Sequence, residues 1–267
     1  CSSGIGHNAA IELHNRGWKV IATCRTKKDC EIFKKIGIIT TIFDYSKVKD
    51  TEKLLSFFEK NNIKHLDALF NNGAFAIPGA LEDLPREAFR EIFETNVIGY
   101  IDLINKTLPL LTKSKSCRVV NCSSVLGFAA LPYRGAYNAT KFAIEGITDT
   151  LRRENIHLNI HFILIQPGPI MTEIRKKSIK HFEKWINVEK SNHKQIYKNK
   201  LIPYLYSKSK ERSFFEQKPC DVTKKLIIAL ESKKPKDRYK ITTPTKLAKL
   251  ITLFLPTSFQ DILFKNY

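Results

Sequence analysis

CRVVNCSSVLGFAALPYRGAYNATK (117–141) is the stretch on which the fold turns. It begins with a short apolar strand, CRVVNCSS (117–124), that ends on two hydroxyls. It closes with the start of a helical-period segment, GAYNATKFAIEGITDTLRREN (135–155). On that helix Tyr137 and Lys141 are four residues apart and share one face. A phenol, with an ordinary pKa of about 10, is a poor acid–base group at neutral pH. A neighbouring ammonium favours the phenolate, so the pairing is expected to lower the Tyr137 pKa and make it a usable proton donor and acceptor. Ser124, at the end of the strand, is placed to hydrogen-bond a carbonyl oxygen shared with that phenol. Ser123 is its competitor.

The same alternation runs outward in both directions. WKVIATC (18–24), IITTIFD (38–44), HLDALFNN (65–72), HLNIHFILIQPGP (157–169) and RYKITT (238–243) read as strands. Between them lie helical patterns, including TEKLLSFFEK (51–60) and one long pattern from Pro85 through Leu111. Strand–helix alternation at this spacing predicts an α/β fold, a doubly wound parallel sheet covered on both faces, with chemistry at the strand C-terminal ends. The polar residues there are Arg25, Asp44, Asn71, Asn72, Ser123, Ser124 and Gln166. One domain over 1–267 is expected, with a polar, basic insertion at about 173–220 and an amphipathic extension at about 245–267. That extension's apolar face suits docking on its own domain or on a partner subunit, with peripheral membrane contact as the alternative.

At the N-terminus, CSSGIGHNAA (1–10) reads as a glycine-rich turn running into a helix. The strand that normally precedes such a turn is not in the sequence, which therefore reads as starting inside the motif. The second strand ends on uncharged Cys24 followed by Arg25. An acid at that place would bond a ribose 2′-hydroxyl, whereas Arg suits a 2′-phosphate, with Ser3 adding a hydroxyl. The six cysteines contain no C-x-x-C pair, which suits reduced thiols in a cytoplasmic protein and no metal site. The net charge of +19 raises a nucleic-acid or membrane surface. However, the lysines are scattered, and with Ile equally conspicuous they fit an AT-rich coding bias better than a nucleic-acid face.

Taken together, the chain resembles the short-chain dehydrogenase/reductase family over essentially its whole length. CSSGIG (1–6) resembles the second part of the family's T-G-x-x-x-G-x-G, and NNGA (71–74) its N-N-A-G with the last two residues exchanged. Asn96 in TNVIG, SSVLG (123–127), YNATK (137–141) and PGPIMT (167–172) follow in the family's order. The resemblance implies catalytic roles for Asn96, Ser124, Tyr137 and Lys141. Tyr137 would be general acid in carbonyl reduction, and Lys141 would lower its pKa and bond the nicotinamide ribose. Ser124 would orient the substrate, and Asn96 would hold a relay water. It further implies a dinucleotide held by Ser3, Gly4, Ile5, Gly6, Arg25, Asp44, Asn72, Gly73, Tyr137, Lys141, Pro167, Gly168, Ile170 and Thr172. Ala74 stands where a glycine normally lets the cofactor approach.

The expected function is NADP(H)-dependent hydride transfer to a hydrophobic aldehyde or ketone, or from its alcohol. The nearest branch resembles hydroxysteroid and retinol dehydrogenases and bacterial aldehyde reductases. Phe128, Leu131, Phe142, Ile170, Met171, Trp185, Phe214 and Phe215 are candidates for an apolar substrate pocket. The resemblance also implies a homodimer or homotetramer. Two rivals are a 3-oxoacyl-carrier-protein reductase, disfavoured by the long tail after RYKITT, and a non-catalytic basic binding protein on the same scaffold, disfavoured by the intact Ser124, Tyr137 and Lys141.

Overall fold

The computed structural model describes residues 1–207 and 215–265, and strand–helix alternation organises it. The strands are β1 (Ile21–Cys24), β2 (Ile39–Ile42), β3 (Ala68–Asn71), β4 (Cys117–Cys122), β5 (Ile160–Gln166) and β6 (Arg238–Lys240). Helix α1 (Gly4–Asn15) precedes β1, and α2 (Lys27–Lys34), α3 (Val48–Lys60), α4 (Arg86–Phe93), α5 (Gly99–Leu111) and α6 (Gly135–Glu154) fill the connections up to β5. After β5 come α7 (Ile174–Trp185), α8 (Lys194–Ile196), α9 (Ile202–Tyr206) and α10 (Pro219–Glu231), and after β6 come α11 (Thr243–Phe254) and α12 (Thr257–Phe264). Every strand pair is parallel, in two sheets of order β1-β2 and β3-β4-β5-β6. The Cys1 ammonium lies beside β1, donating to the Thr23 carbonyl at 2.6 Å.

Alternating apolar side chains decide the layers. Val120, Ile163 and Ile165 point to one face, where α1 and α10 cover them with Ala9, Leu13, Val222 and Leu226. Val119 and Phe162 point to the other, against Ile104 and Leu111 of α5. Strands β4 and β5 are therefore apolar on both sides, as a sheet sandwiched between helix layers requires. All six cysteines are free, and Cys24, Cys30, Cys117 and Cys122 are buried.

Three features extend or correct the sequence reading. The long helical pattern after Pro85 is interrupted by a wider π-type turn, Glu94–Ile98, between α4 and α5. The basic segment after β5 lies on the loop that follows β3 and on α4, and so packs as part of the same domain. There Phe182, Ile186, Tyr197, Leu201 and Leu205 pack with Ile77, Leu84 and Ile92. The Tyr197 hydroxyl accepts from Ala80 N at 2.8 Å and donates to Asp83. Finally, α11 turns Thr245 and Ala248 inward while its apolar outer face stays open, so the extension does not bury that face on its own domain. No helix among the described residues is long and apolar enough to cross a membrane. Phe214 lies outside the described residues.

Candidate active site

Strand β4, the turn after it and α6 bring Ser124, Tyr137 and Lys141 together. Ser124 caps the short 3-10 turn Val125–Gly127, accepting from Leu126 N at 3.1 Å, and its hydroxyl is near enough to the Tyr137 phenol to favour the phenolate. Ser123 points away into the packing beneath, where a Cβ on Gly127 would lie 2.5 Å from its Oγ. The structure thus selects Ser124. Lys141 is 1% exposed, and its Nζ donates to the Cys122 carbonyl at 2.7 Å.

The electrostatics differ from the expectation that Lys141 lowers the Tyr137 pKa. The Lys141 ammonium lies over the Tyr137 ring face, 5.5 Å from its centroid, and its hydrogen bond goes to backbone. Burial, with the buried Cys122 thiol, holds the phenol above its ordinary value, and only the Ser124 hydroxyl pulls the other way. Burial likewise holds the Lys141 ammonium below its ordinary value, opposed by Cys122 and Glu145. The geometry is that of a proton donor kept protonated beside a buried cation.

Asn96 sits in the π-type turn and is completely buried. Its Oδ1 accepts from Phe75 N at 3.1 Å, and its Nδ2 donates to Phe75 O at 2.9 Å and to Thr140 Oγ1 at 3.3 Å. Both ends of the amide thus take part in clamping the loop after β3. The wider turn is what aims this side chain at Phe75, in keeping with the functional placement of such turns. Phe75 in turn stacks on His181 of α7 at 4.2 Å, linking the loop to the segment above it.

The glycine turn, the loop after β3 and the loop after β5 converge on one groove. Gly4 adopts φ +61°, and a Cβ there would come within 3.1 Å of Thr172. A Cβ on Gly6 would come within 2.9 Å of Asn72 Nδ2. Ile5 packs from α1 onto the main core. Around the loop after β5, Pro167 O accepts from Val125 N at 2.8 Å, Ile170 bridges to Gln217, and Gly168 lies against Thr242 and Thr245. Helix α1 begins at this convergence, at Gly4, where side chains of the other two loops come up against the glycine backbone. Such a cradle fits the pyrophosphate of a dinucleotide.

At the groove's outer end, Arg25 is exposed just past β1. Asp44 Oδ1 accepts from Ser46 N and Oγ at 3.1 and 2.9 Å, which fixes the carboxylate beyond β2. Lys177 of α7 donates to Ser3 Oγ at 2.8 Å, a cation at the glycine turn that sequence spacing had no means of revealing.

Tyr45 explains the NNGA exchange. Its ring occupies the space beside residue 73, and a Cβ on Gly73 would lie 2.7 Å from its Cε2. Tyr45 OH donates to Asn71 Oδ1 at 3.1 Å. From there the hydrogen bonds continue through the core, Asn71 Nδ2 to Asn121 Oδ1 at 3.0 Å and Asn121 Nδ2 to Thr148 Oγ1 at 2.9 Å. Glycine stands at 73 because Tyr45 claims the room that a side chain there would need. The adjacent Asp44 marks this strand end in the sequence, but the Tyr45–Gly73 contact itself has no local signature.

Of the apolar candidates, Trp185 packs in the same cluster as Tyr137, with Phe75 and Ile179. Phe142 is 45% exposed on α6 and so is no pocket wall. Phe128 lies under the Lys249 ammonium at 5.2 Å.

The family model described as short chain dehydrogenase matches residues 1–183. The uncharacterized oxidoreductase YbbO of Escherichia coli (strain K12) is 31% identical over 98% of this chain and 90% of its own length. Human retinol dehydrogenase 16 is 30% identical over 98% of this chain and 84% of its own. Among solved structures, the closed form of serine dehydrogenase complexed with NADP+ matches with a TM-score of 0.76 at 18% identity, covering 91% of this chain and 92% of that one. A short-chain dehydrogenase/reductase from Burkholderia phymatum in complex with NAD also gives 0.76, at 22% identity and covering 98% and 91%. With an active-site geometry, a parallel α/β fold and relatives that coincide over nearly its whole length, this chain is an oxidoreductase-type member of the short-chain dehydrogenase/reductase family.

Proposed function

We propose that the protein is an NADP(H)-dependent oxidoreductase that interconverts a hydrophobic aldehyde or ketone and its alcohol. The observation that carries this reading is the meeting of buried Ser124 and Lys141 with the half-buried Tyr137 ring, the Lys141 ammonium lying over that ring and donating to the Cys122 carbonyl. When bound, the dinucleotide supplies or accepts the hydride. In this reading the Tyr137 phenol, held protonated by burial, gives its proton to the substrate oxygen, and the Ser124 hydroxyl orients that oxygen. Lys141 provides a positive charge in a dry site, where charge acts more strongly than in water. Asn96 is a positioning residue that keeps Phe75 and its loop beside the reacting centre.

The cofactor preference rests on charge. Arg25 past β1 and Lys177 at Ser3 place two cations around the outer groove, with no acid at the end of β1 to bond a 2′-hydroxyl. The apolar surroundings of Tyr137, with Phe75, Ile179 and Trp185, favour an apolar substrate. The test is NADPH and NADH oxidation with medium-chain aldehydes, wild type against Tyr137→Phe. The expected result is NADPH-preferring turnover that Tyr137→Phe abolishes. NADH preference overturns the cofactor assignment, and turnover that survives Tyr137→Phe overturns the acid assignment.

A further inference from the structure

Helices α11 and α12 carry an apolar surface that the fold leaves uncovered. On α11, Thr245 and Ala248 face the protein. Leu247, Leu250, Leu253 and Phe254 lie on the opposite side, and α12 adds Phe259 and Ile262, all between 54 and 73% exposed. At helical spacing, positions 247, 250 and 254 fall on one stripe, as do 259 and 262. Exposed leucines scattered singly are ordinary, but a contiguous set on consecutive helices marks an interaction surface. At 12 and 8 residues, α11 and α12 are too short to span a bilayer, and an apolar stripe flanked by lysines suits helices that lie along an apolar boundary.

Charge selects the occupant. From Thr243 to Lys265 the stripe is accompanied by Lys246, Lys249 and Lys265 against Asp261 alone. Lys246 and Lys265 are exposed. The chain as a whole carries +19. A second copy apposed through this face would bring two strongly positive surfaces together, whereas an anionic lipid surface attracts them. We propose that α11 and α12 form an interfacial anchor that seats the protein on an anionic bilayer. The apolar stripe lies at the acyl boundary and the lysines among the headgroups. This assignment is independent of the catalytic reading.

Flotation of the full chain with vesicles tests it, using phosphatidylcholine alone and a phosphatidylcholine–phosphatidylglycerol mixture. Wild type is expected to float with the anionic vesicles, less with the neutral ones, and less as salt is raised. Leu250→Glu with Phe254→Glu lowers the bound fraction by at least about tenfold. Lys246→Glu with Lys265→Glu lowers it by roughly fivefold per lysine at low salt. Melting temperature and dinucleotide binding stay unchanged in both variants. Wild type that remains lipid-free with anionic vesicles overturns the proposal whatever the variants do. So does a Leu250→Glu/Phe254→Glu protein that floats like wild type. A wild-type dimer that this variant converts to monomer in lipid-free sedimentation also overturns it, and assigns the face to a second copy.

Discussion

Replacing Gly73 by Ala adds a single methyl group, and the structure says where it goes. The new Cβ would stand 2.7 Å from Tyr45 Cε2 and 3.1 Å from Cδ2, against about 3.5–4.0 Å for a relaxed carbon contact. The Tyr45 ring has little room to retreat. Phe43 and Tyr100 press on it with centroids 4.9 Å away, and Asn71 holds its hydroxyl. Its backbone lies against Gly99, where a Cβ would come within 2.5 Å of Tyr45 O. Overpacking of this kind costs roughly 1–3 kcal/mol, which for a chain of this size lowers Tm by about 2–4 °C per kcal/mol. The loop from Asn72 to Phe75 moves with it, so dinucleotide affinity falls as well. The assay is thermal unfolding together with NADPH binding by fluorescence, on Gly73→Ala, Tyr45→Val and the double variant. The double variant should be less destabilised than the sum of the two singles by about 1 kcal/mol or more, because removing the ring removes the clash. Additive effects, or a Gly73→Ala protein that melts and binds like wild type, would refute the account of the NNGA sequence.

Asn96→Ala removes the partners of the part-buried Phe75 N–H and C=O and should destabilise by about 1–3 kcal/mol in all, with kcat falling in parallel, as thermal melts and steady-state assays will report. Lys141→Met removes a buried ammonium whose charge burial disfavours; melting temperature should hold or rise while kcat falls at least a hundredfold. On the proposed assignment of Arg25 to a 2′-phosphate, Arg25→Gln should raise KM for NADPH by roughly tenfold and leave KM for NADH nearly unchanged. In the reductive direction the acid form of Tyr137 is needed. Its pKa is raised, so activity should stay flat through neutral pH and fall only above the ordinary phenol value of about 10; a loss centred near neutrality would contradict the burial of that phenol.

Much of this site was legible because its residues are placed by local rules. Ser124 ends a strand, Tyr137 and Lys141 share a helix face, and the glycine turn opens α1. Period and spacing reveal such placements in any chain with this alternation. The sign of the Tyr137 shift was not legible, since pairing predicts a lowered value and burial reverses it, and burial is a property of the assembled core. The turn at Glu94–Ile98 is hidden for a related reason. The apolar period runs through it unbroken, and only the Asn96 clamp on Phe75 selects the wider geometry. Tyr45 beside Gly73 and Lys177 beside Ser3 join residues far apart in the chain, and no window of sequence contains both members of either pair.

Gly168 gives the C-terminal helices a second significance. A Cβ at this position would collide with Thr242 Oγ1 and lie 2.5 Å from Thr245 Oγ1, and these same residues start α11. The loop after β5 thus leans on the root of α11 with nothing between them but a missing side chain. A chain shortened after Lys240 would lose the two threonines that back Gly168, so C-terminal trimming would loosen the loop after β5 from behind.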